Sequence, residues 1–227
     1  MLRAMIFDFD GVLVDSEPLI FSLTQQMAEI EGWTVTEEEY YRDYLALDDR
    51  GIVDHLYASH GQAVDRKKRD ELVAWKARTY AEAIRDGLPA MPGAEEYVRK
   101  VTARYPLAIA SGSLRSEVEH LLSSIGLREL FMLLVTAEDT EKSKPEPEIY
   151  MKTLAGLNRL LPFRDKPLQA SECLAIEDAP AGVRAAQAAG IKCLAIAHSR
   201  PAEELGHADW LVREFAEVDL KKIEAAF

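Results

Sequence analysis

Cysteine is scarce: Cys173 and Cys193 are the two in 227 residues, too few for a disulfide framework or a zinc-ligand cluster. Each precedes an apolar run, Leu174 to Ile176 and Leu194 to Ala197, so both read as buried strand residues. No stretch approaches the roughly 20 consecutive apolar residues that a membrane span needs. Asp8, Asp10 and Asp15 interrupt the apolar region that a secretory signal would require. Nor is there a Pro/Gly/Ser tract, a low-complexity run or a fixed-period repeat, which argues against disorder and solenoids. Positive charge is in deficit: 27 Lys and Arg against 39 Asp and Glu leave a formal charge of −12. That balance repels polyphosphate backbones and disfavours nucleic acid as a partner. The densest basic cluster, Arg66-Lys67-Lys68-Arg69, is flanked by Asp65, Asp70 and Glu71 and reads as a solvated helix face. A soluble, cytoplasmic, monomeric protein is expected, in contact with neither nucleic acid nor membrane.

What is present is an alternation. Ala4 to Phe7 is apolar without a period of two, as suits a strand covered on both faces of a parallel sheet. Similar runs recur at Leu107 to Ala110, Leu133 to Val135, Leu174 to Ile176 and Leu194 to Ala197, with a weaker one at Trp210 to Val212. Helical patterns lie between them at Ala94 to Arg104, Arg115 to Ile125, Glu148 to Leu161 and Ala181 to Ala189. Strand and helix in turn predict an α/β chain built on a doubly wound parallel sheet.

Residues 16–87 break the alternation and offer helices only. Leu19, Leu23, Met27 and Ile30 keep helical spacing, Gly32 ends that helix, and Thr36 with Glu39 is a capping box for the next. Further helices are expected over Asp49 to Ser59 and Asp65 to Arg85. The chain is therefore divided into a sheet domain, 1–15 and 88–227, and an inserted helical domain, 16–87. Both crossings lie beside the acidic end of the first strand, where an insertion would serve as a lid. The region Leu157 to Glu172 reads as a surface extension.

Chemistry-bearing residues follow the apolar runs. Asp8 and Asp10 follow the first, with Gly11 between the acids and the turn; Ser111-Gly112-Ser113 follow the second; Glu177-Asp178 follow the fourth. Lys144-Pro145 lies beyond the third, at the expected start of a helix. All should meet at the carboxyl edge of the sheet, where open α/β sheets bind ligands. Carboxylates gathered in one crevice either bind a cation or shift their pKa values, and an all-oxygen set favours a hard ion, Mg²⁺ first. A hydroxyl, backbone N–H groups at Gly112 and a lysine suit a phosphoryl dianion. The set reads as phosphoryl transfer, with Asp8 as nucleophile, Asp10 as general acid/base, and Ser111 and Lys144 holding the transferring group.

Asp8-Phe9-Asp10-Gly11-Val12-Leu13-Val14-Asp15, Ala110-Ser111-Gly112-Ser113, Ser143-Lys144-Pro145-Glu146-Pro147 and Ile176-Glu177-Asp178-Ala179-Pro180-Ala181-Gly182 resemble, in order, the four signatures of the haloacid dehalogenase-like hydrolase superfamily. Within it they look most like the branch of β-phosphoglucomutases and small-metabolite phosphatases. The resemblance implies a Rossmann-like core and an aspartyl-phosphate intermediate on Asp8. It also implies Mg²⁺ held by the Asp8 and Asp178 side chains, the Asp10 main-chain carbonyl and, through water, Glu177. Ser111 and Lys144 would grip phosphoryl oxygens, and the helical insertion would be a mobile cap carrying substrate specificity.

Arg50, in Leu47-Asp48-Asp49-Arg50-Gly51, is a candidate for holding a second anionic group of the substrate, although Asp48 and Asp49 crowd it. Ser113 and Arg115 could reach a substrate, or simply open a helix. Asp15 reads as a hydrogen-bond acceptor or helix cap, and the five histidines as surface or structural. Mutase relatives carry a histidine where Ile20 stands, and a phosphonatase needs a cap lysine, yet no lysine precedes Lys67. A dehalogenase has no use for Asp10. The reading is a Mg²⁺-dependent phosphatase acting on a small phosphorylated metabolite such as a sugar phosphate. The alternatives are a β-phosphoglucomutase-like phosphomutase and a non-catalytic phosphate-sensing module.

Overall fold

The computed structural model describes residues 1–45, 47–198 and 200–227 and divides into two compact units, Met1–Asp15 with Gly87–Phe227, and Ser16–Asp86. The first strand, β1 (Ala4–Phe7), is buried along its whole length. Past it the chain folds tightly on itself: the carbonyl of Phe9 accepts from the N–H of Leu13 at 2.8 Å, and the N–H of Gly11 donates to Val14 at 2.9 Å. The departing and returning segments lie side by side, since Asp15 N–H donates to the Pro89 carbonyl and Met91 N–H to that of Leu13, both at 3.0 Å.

The Ser16–Asp86 unit is helical: α1 (Glu17–Ile30), a short α2 (Glu37–Glu39) that runs on into a π-helical turn (Tyr40–Tyr44), α3 (Asp49–Ser59) and α4 (Arg66–Ala83). Local chemistry explains the helix starts. Thr36 and Glu39 cap reciprocally, Glu39 N–H donating to Thr36 Oγ1 at 3.2 Å and Thr36 N–H to Glu39 Oε2 at 2.9 Å. The Asp48 and Asp65 carboxylates accept from the N–H groups of Gly51 and Lys68, at 2.7 and 2.9 Å. The unit has its own apolar cluster, in which Met27, Tyr40, Ile52, Leu56 and Leu72 are buried.

In the sheet unit, α5 (Ala94–Thr102), β2 (Leu107–Ala110), α6 (Arg115–Ser124), β3 (Phe131–Val135), α7 (Glu148–Leu157), β4 (Cys173–Glu177), α8 (Pro180–Ala188), β5 (Lys192–Ile196), β6 (Trp210–Val212) and α9 (Leu220–Glu224) follow in order. The strand order is β3-β2-β1-β4-β5-β6, with every pairing parallel. The order reverses at β1, between β2 and β4, which opens the crevice that doubly wound sheets use for ligands. Phe7 is in register with both Ile109 and Ile176, so the residues after it emerge level with Glu177 and the 111–113 loop. Cys173 and Cys193 are free and buried. No helix among the described residues is long and apolar enough to cross a membrane.

Several local expectations are corrected. Lys144 lies in a turn ahead of α7 and its bond to Pro145 is cis. Helix α7 ends at Leu157, not Leu161, because the Asn158 side chain turns to the backbone of Leu168, accepting from its N–H at 2.6 Å and donating to its carbonyl at 3.1 Å. The segment that follows lies largely at the surface, as expected, but is anchored. Phe163 and Leu168 join the buried cluster under the sheet, and Arg3 ties it down through the Lys166 carbonyl at 2.7 Å and Glu172 at 2.8 Å. Gly87 groups with the sheet unit: its φ is +84°, and a Cβ there would lie 3.0 Å from Ser124 Oγ.

Candidate active site

Asp8 leaves β1 with its N–H donating to the Ile176 carbonyl at 2.9 Å, which ties it to the neighbouring strand that delivers Glu177 and Asp178. Lys144 Nζ lies 2.8 Å from Asp8 Oδ1 and 2.8 Å from Glu177 Oε1. The same Glu177 oxygen accepts from the Tyr150 hydroxyl at 2.5 Å, and the lysine nitrogen stands 5.6 Å from the centroid of that ring. Burial by itself would lower the Lys144 pKa; Asp8 and Glu177 outweigh it and carry the ammonium above its usual range. Burial, with Asp8 adding, pushes the Glu177 carboxyl up to about 7 against the pull of Lys144 and Tyr150. Burial likewise drives Asp178 well above the ordinary carboxylate range, Asp8 and Glu177 contributing, while the charge of Arg200 works the other way.

Asp8, Glu177 and Asp178 each bring one oxygen within 4.8 Å of the others. Glu177 Oε2 is buried without a hydrogen-bond partner, an acceptor left for something else to satisfy. Buried like charges and an orphaned oxygen fit a hard cation, which would offset the burial and the repulsion that together raise Glu177 and Asp178. Two glycines make the cluster sterically possible. A Cβ on Gly11, whose φ is +70°, would sit 2.1 Å from Asp178 Oδ2, and one on Gly182 would sit 2.0 Å from Glu177 Oε2.

Asp10 is placed differently: its Oδ2 accepts a hydrogen bond from the Ser113 hydroxyl. Ser111 is buried, its N–H donating to Val135 and its Oγ accepting from Ser113 N–H, each at 3.0 Å. A Cβ on Gly112 would meet nothing within 4 Å, so the loop borders open space. Arg115 is occupied by Asp139 and the Leu134 carbonyl. Asp15 does not cap α1; Ser16 holds the N-cap position.

Arg50 belongs to the helical unit. It is exposed on the first turn of α3. The acids beside it are both engaged, Asp48 as the helix cap and Asp49 with the buried Lys76, so they do not neutralise the guanidinium. Two contributors escaped the sequence reading. Tyr150 looked like one more apolar position of a helix, although a buried phenol needs a hydrogen-bond partner. Gly182 was quoted only as the last residue of the fourth signature, without a role; it lies in the first turn of α8.

A family model described as haloacid dehalogenase-like hydrolase matches residues 5–196. Validoxylamine A 7'-phosphate phosphatase of Streptomyces hygroscopicus subsp. limoneus is 30% identical over 226 residues, covering 96% of this chain and 96% of that protein. Phosphorylated carbohydrates phosphatase of Thermotoga maritima is 29% identical over 191 residues, covering 84% and 83%. Among solved structures, a mutant of CbbY from Rhodobacter sphaeroides in complex with xylulose-(1,5)bisphosphate is similar in fold, with a TM-score of 0.79 at 24% identity over 96% of this chain and 97% of that one.

Proposed function

Because the chain belongs to the haloacid dehalogenase-like hydrolase family, we propose that it is a Mg²⁺-dependent phosphatase that removes the phosphoryl group of a small phosphorylated carbohydrate through an aspartyl-phosphate on Asp8. The observation that carries this reading is the Lys144 ammonium, bonded at 2.8 Å to both Asp8 and Glu177 within a cluster of acids it cannot fully neutralise. A lysine so placed orients the Asp8 carboxylate and presents positive charge where the phosphoryl oxygens gather it. In this reading Ser111 and the backbone N–H of Gly112, on the loop after β2, would hold the same group. Asp8, Glu177 and Asp178 would hold the Mg²⁺ with the Asp10 main-chain carbonyl, and the ion when bound would neutralise charge on the transferring phosphoryl group.

Asp10 gives a proton to the leaving oxygen as Asp8 attacks phosphorus, then takes one from the water that releases phosphate. The helical unit is the substrate-selecting cap in this reading, with Arg50 holding a second anionic group. Similarity to proteins named as phosphatases of validoxylamine A 7'-phosphate and of phosphorylated carbohydrates supports a polyhydroxylated substrate. The position at which a mutase would carry its histidine is Ile20, packed against the apolar cluster of the helical unit. It supplies no proton carrier, which favours hydrolysis over transfer between sugar hydroxyls.

The test is release of inorganic phosphate from a panel of phosphorylated carbohydrates with Mg²⁺. Asp8→Asn should lower the rate at least about a thousandfold. Hydrolysis that survives Asp8→Asn removes the nucleophile; conversion of a hexose 1-phosphate to the 6-phosphate without free phosphate removes the hydrolase reading.

A further inference from the structure

The motifs bring Asp10 to the sheet edge, yet nothing in them says what aims its carboxylate. Ser113, 103 residues further along the chain, bonds Asp10 Oδ2 through its hydroxyl. The position of that hydroxyl is fixed from both sides. Ser113 N–H donates to the Oγ of the fully buried Ser111 at 3.0 Å, and the Ser113 carbonyl accepts from Ala137 N–H, past the end of β3, at 3.1 Å. A serine two residues before a helix would ordinarily be read as a cap. Here the N–H of Arg115, one that such a cap would accept, goes instead to Glu138 Oε2, at 2.9 Å, and the Ser113 hydroxyl is directed to the acid.

We propose that Ser113 is a positioning residue for Asp10, selecting which of its oxygens carries the catalytic proton. The proposal rests on the reading of Asp10 as general acid and base. A hydroxyl that donates to Oδ2 places the carboxyl proton on Oδ1 and fixes the plane of the group. In the first step an Asp8 oxygen bonds to phosphorus, the phosphorus–oxygen ester bond breaks, and its electron pair takes the proton from Asp10 Oδ1, so the product leaves as a neutral alcohol. In the second, a water oxygen bonds to phosphorus while Asp10 Oδ1 takes its proton, and the Asp8–phosphorus bond breaks to give inorganic phosphate. The proton is returned and Ser113 keeps its own throughout.

The experiment compares kcat/KM of the full chain with Mg²⁺ on p-nitrophenyl phosphate, whose leaving group hardly needs a proton, and on phenyl phosphate, whose leaving group does. General-acid assistance of the usual size predicts that Ser113→Ala lowers the phenyl phosphate value roughly tenfold more than the p-nitrophenyl phosphate value. Ser113→Thr, which keeps the hydroxyl, should restore most of that difference, and Asp10→Asn should show the same selectivity more strongly. Equal losses on both substrates in Ser113→Ala, with Asp10→Asn still selective, overturn the role of Ser113 and leave the phosphatase reading standing. An unselective Asp10→Asn overturns the role of Asp10, and the proposal with it.

Discussion

The helical unit and the carboxyl edge of the sheet are both crowded with charge, but they handle it in opposite ways. In the helical unit cations are matched to acids: Lys68 with Glu31 and Arg69 with Asp54, each at 2.7 Å, Lys76 with Asp49, and Arg66 and Lys67 with acids one turn on. The basic run that the sequence reading assigned to a solvated face is thus held in ion pairs. At the sheet edge, three carboxylates share a space less than 5 Å across, and the lysine among them bonds two. Matched pairs at the surface contribute little and disturb nothing. An unmatched buried cluster costs folding free energy, and its persistence is explained by what it binds.

The contrast breaks most visibly at Lys144. Removing it in Lys144→Met leaves Asp8 and Glu177 facing each other in a buried site, and losing one partner of such a set costs about 3–5 kcal/mol. For a chain of this size that lowers the thermal midpoint of the metal-free protein by about 6–20 °C. Saturating Mg²⁺ should recover part of the loss, because a cation can take over some of the neutralisation. A midpoint unchanged in the absence of metal would show that the two acids are not in fact held apart by this ammonium.

Asp178→Asn should move the protein the other way. Burial and two neighbouring acids oppose its charge, so the amide removes a penalty and raises metal-free stability by about 1–2 kcal/mol. The same substitution should abolish the rise in midpoint on adding Mg²⁺. For a wild type that binds Mg²⁺ as proposed, the expected stabilisation is about 2.7 kcal/mol at a hundred times the dissociation constant. Differential scanning fluorimetry with EDTA or Mg²⁺ reads both; a metal-free midpoint below wild type would contradict the idea of an unbalanced cluster.

The two regions also differ in how openly the sequence declares them. Strand positions, Asp8, Ser111 and Glu177-Asp178 were legible because they depend on local pattern, an apolar run followed at once by polar groups. So was the Thr36–Glu39 capping box. Tyr150 was not, because its hydroxyl meets Glu177 across 27 residues and helical periodicity marks it only as buried. What anchors the surface segment Leu157 to Glu172 was hidden for the same reason: it is held by Arg3, more than 160 residues from Lys166 and Pro167. The bond between Asp10 and Ser113 joins two recognisable motifs, but no spacing rule announces it.

In the helical unit Asp49→Asn tests the matched side of the comparison. It leaves the Lys76 ammonium, buried in that unit, with a weaker partner, and should lower stability by about 1–2 kcal/mol. The sign is opposite to that of Asp178→Asn although both changes turn an aspartate into its amide, and the shift should be the same in EDTA as in Mg²⁺. A metal-dependent shift here would mean that the two charge systems are coupled.

The smallest effect is expected at Gly112. A methyl group there meets nothing within 4 Å, so Gly112→Ala should change stability by less than about 0.5 kcal/mol. Its N–H, which the proposed chemistry uses, is retained, and the added carbon borders only open space, so phosphate release should stay within a few-fold of wild type. Gly182→Ala, by contrast, drives a carbon to 2.0 Å from Glu177 Oε2 and should cost about 1–3 kcal/mol. Two glycines on loops and turns that follow strands of the same sheet therefore give opposite answers, and the one packed against a carboxylate is the one the acidic cluster depends on. Equal stability losses from both substitutions would show that the loop is closed around Gly112 and that the space for a phosphoryl group lies elsewhere.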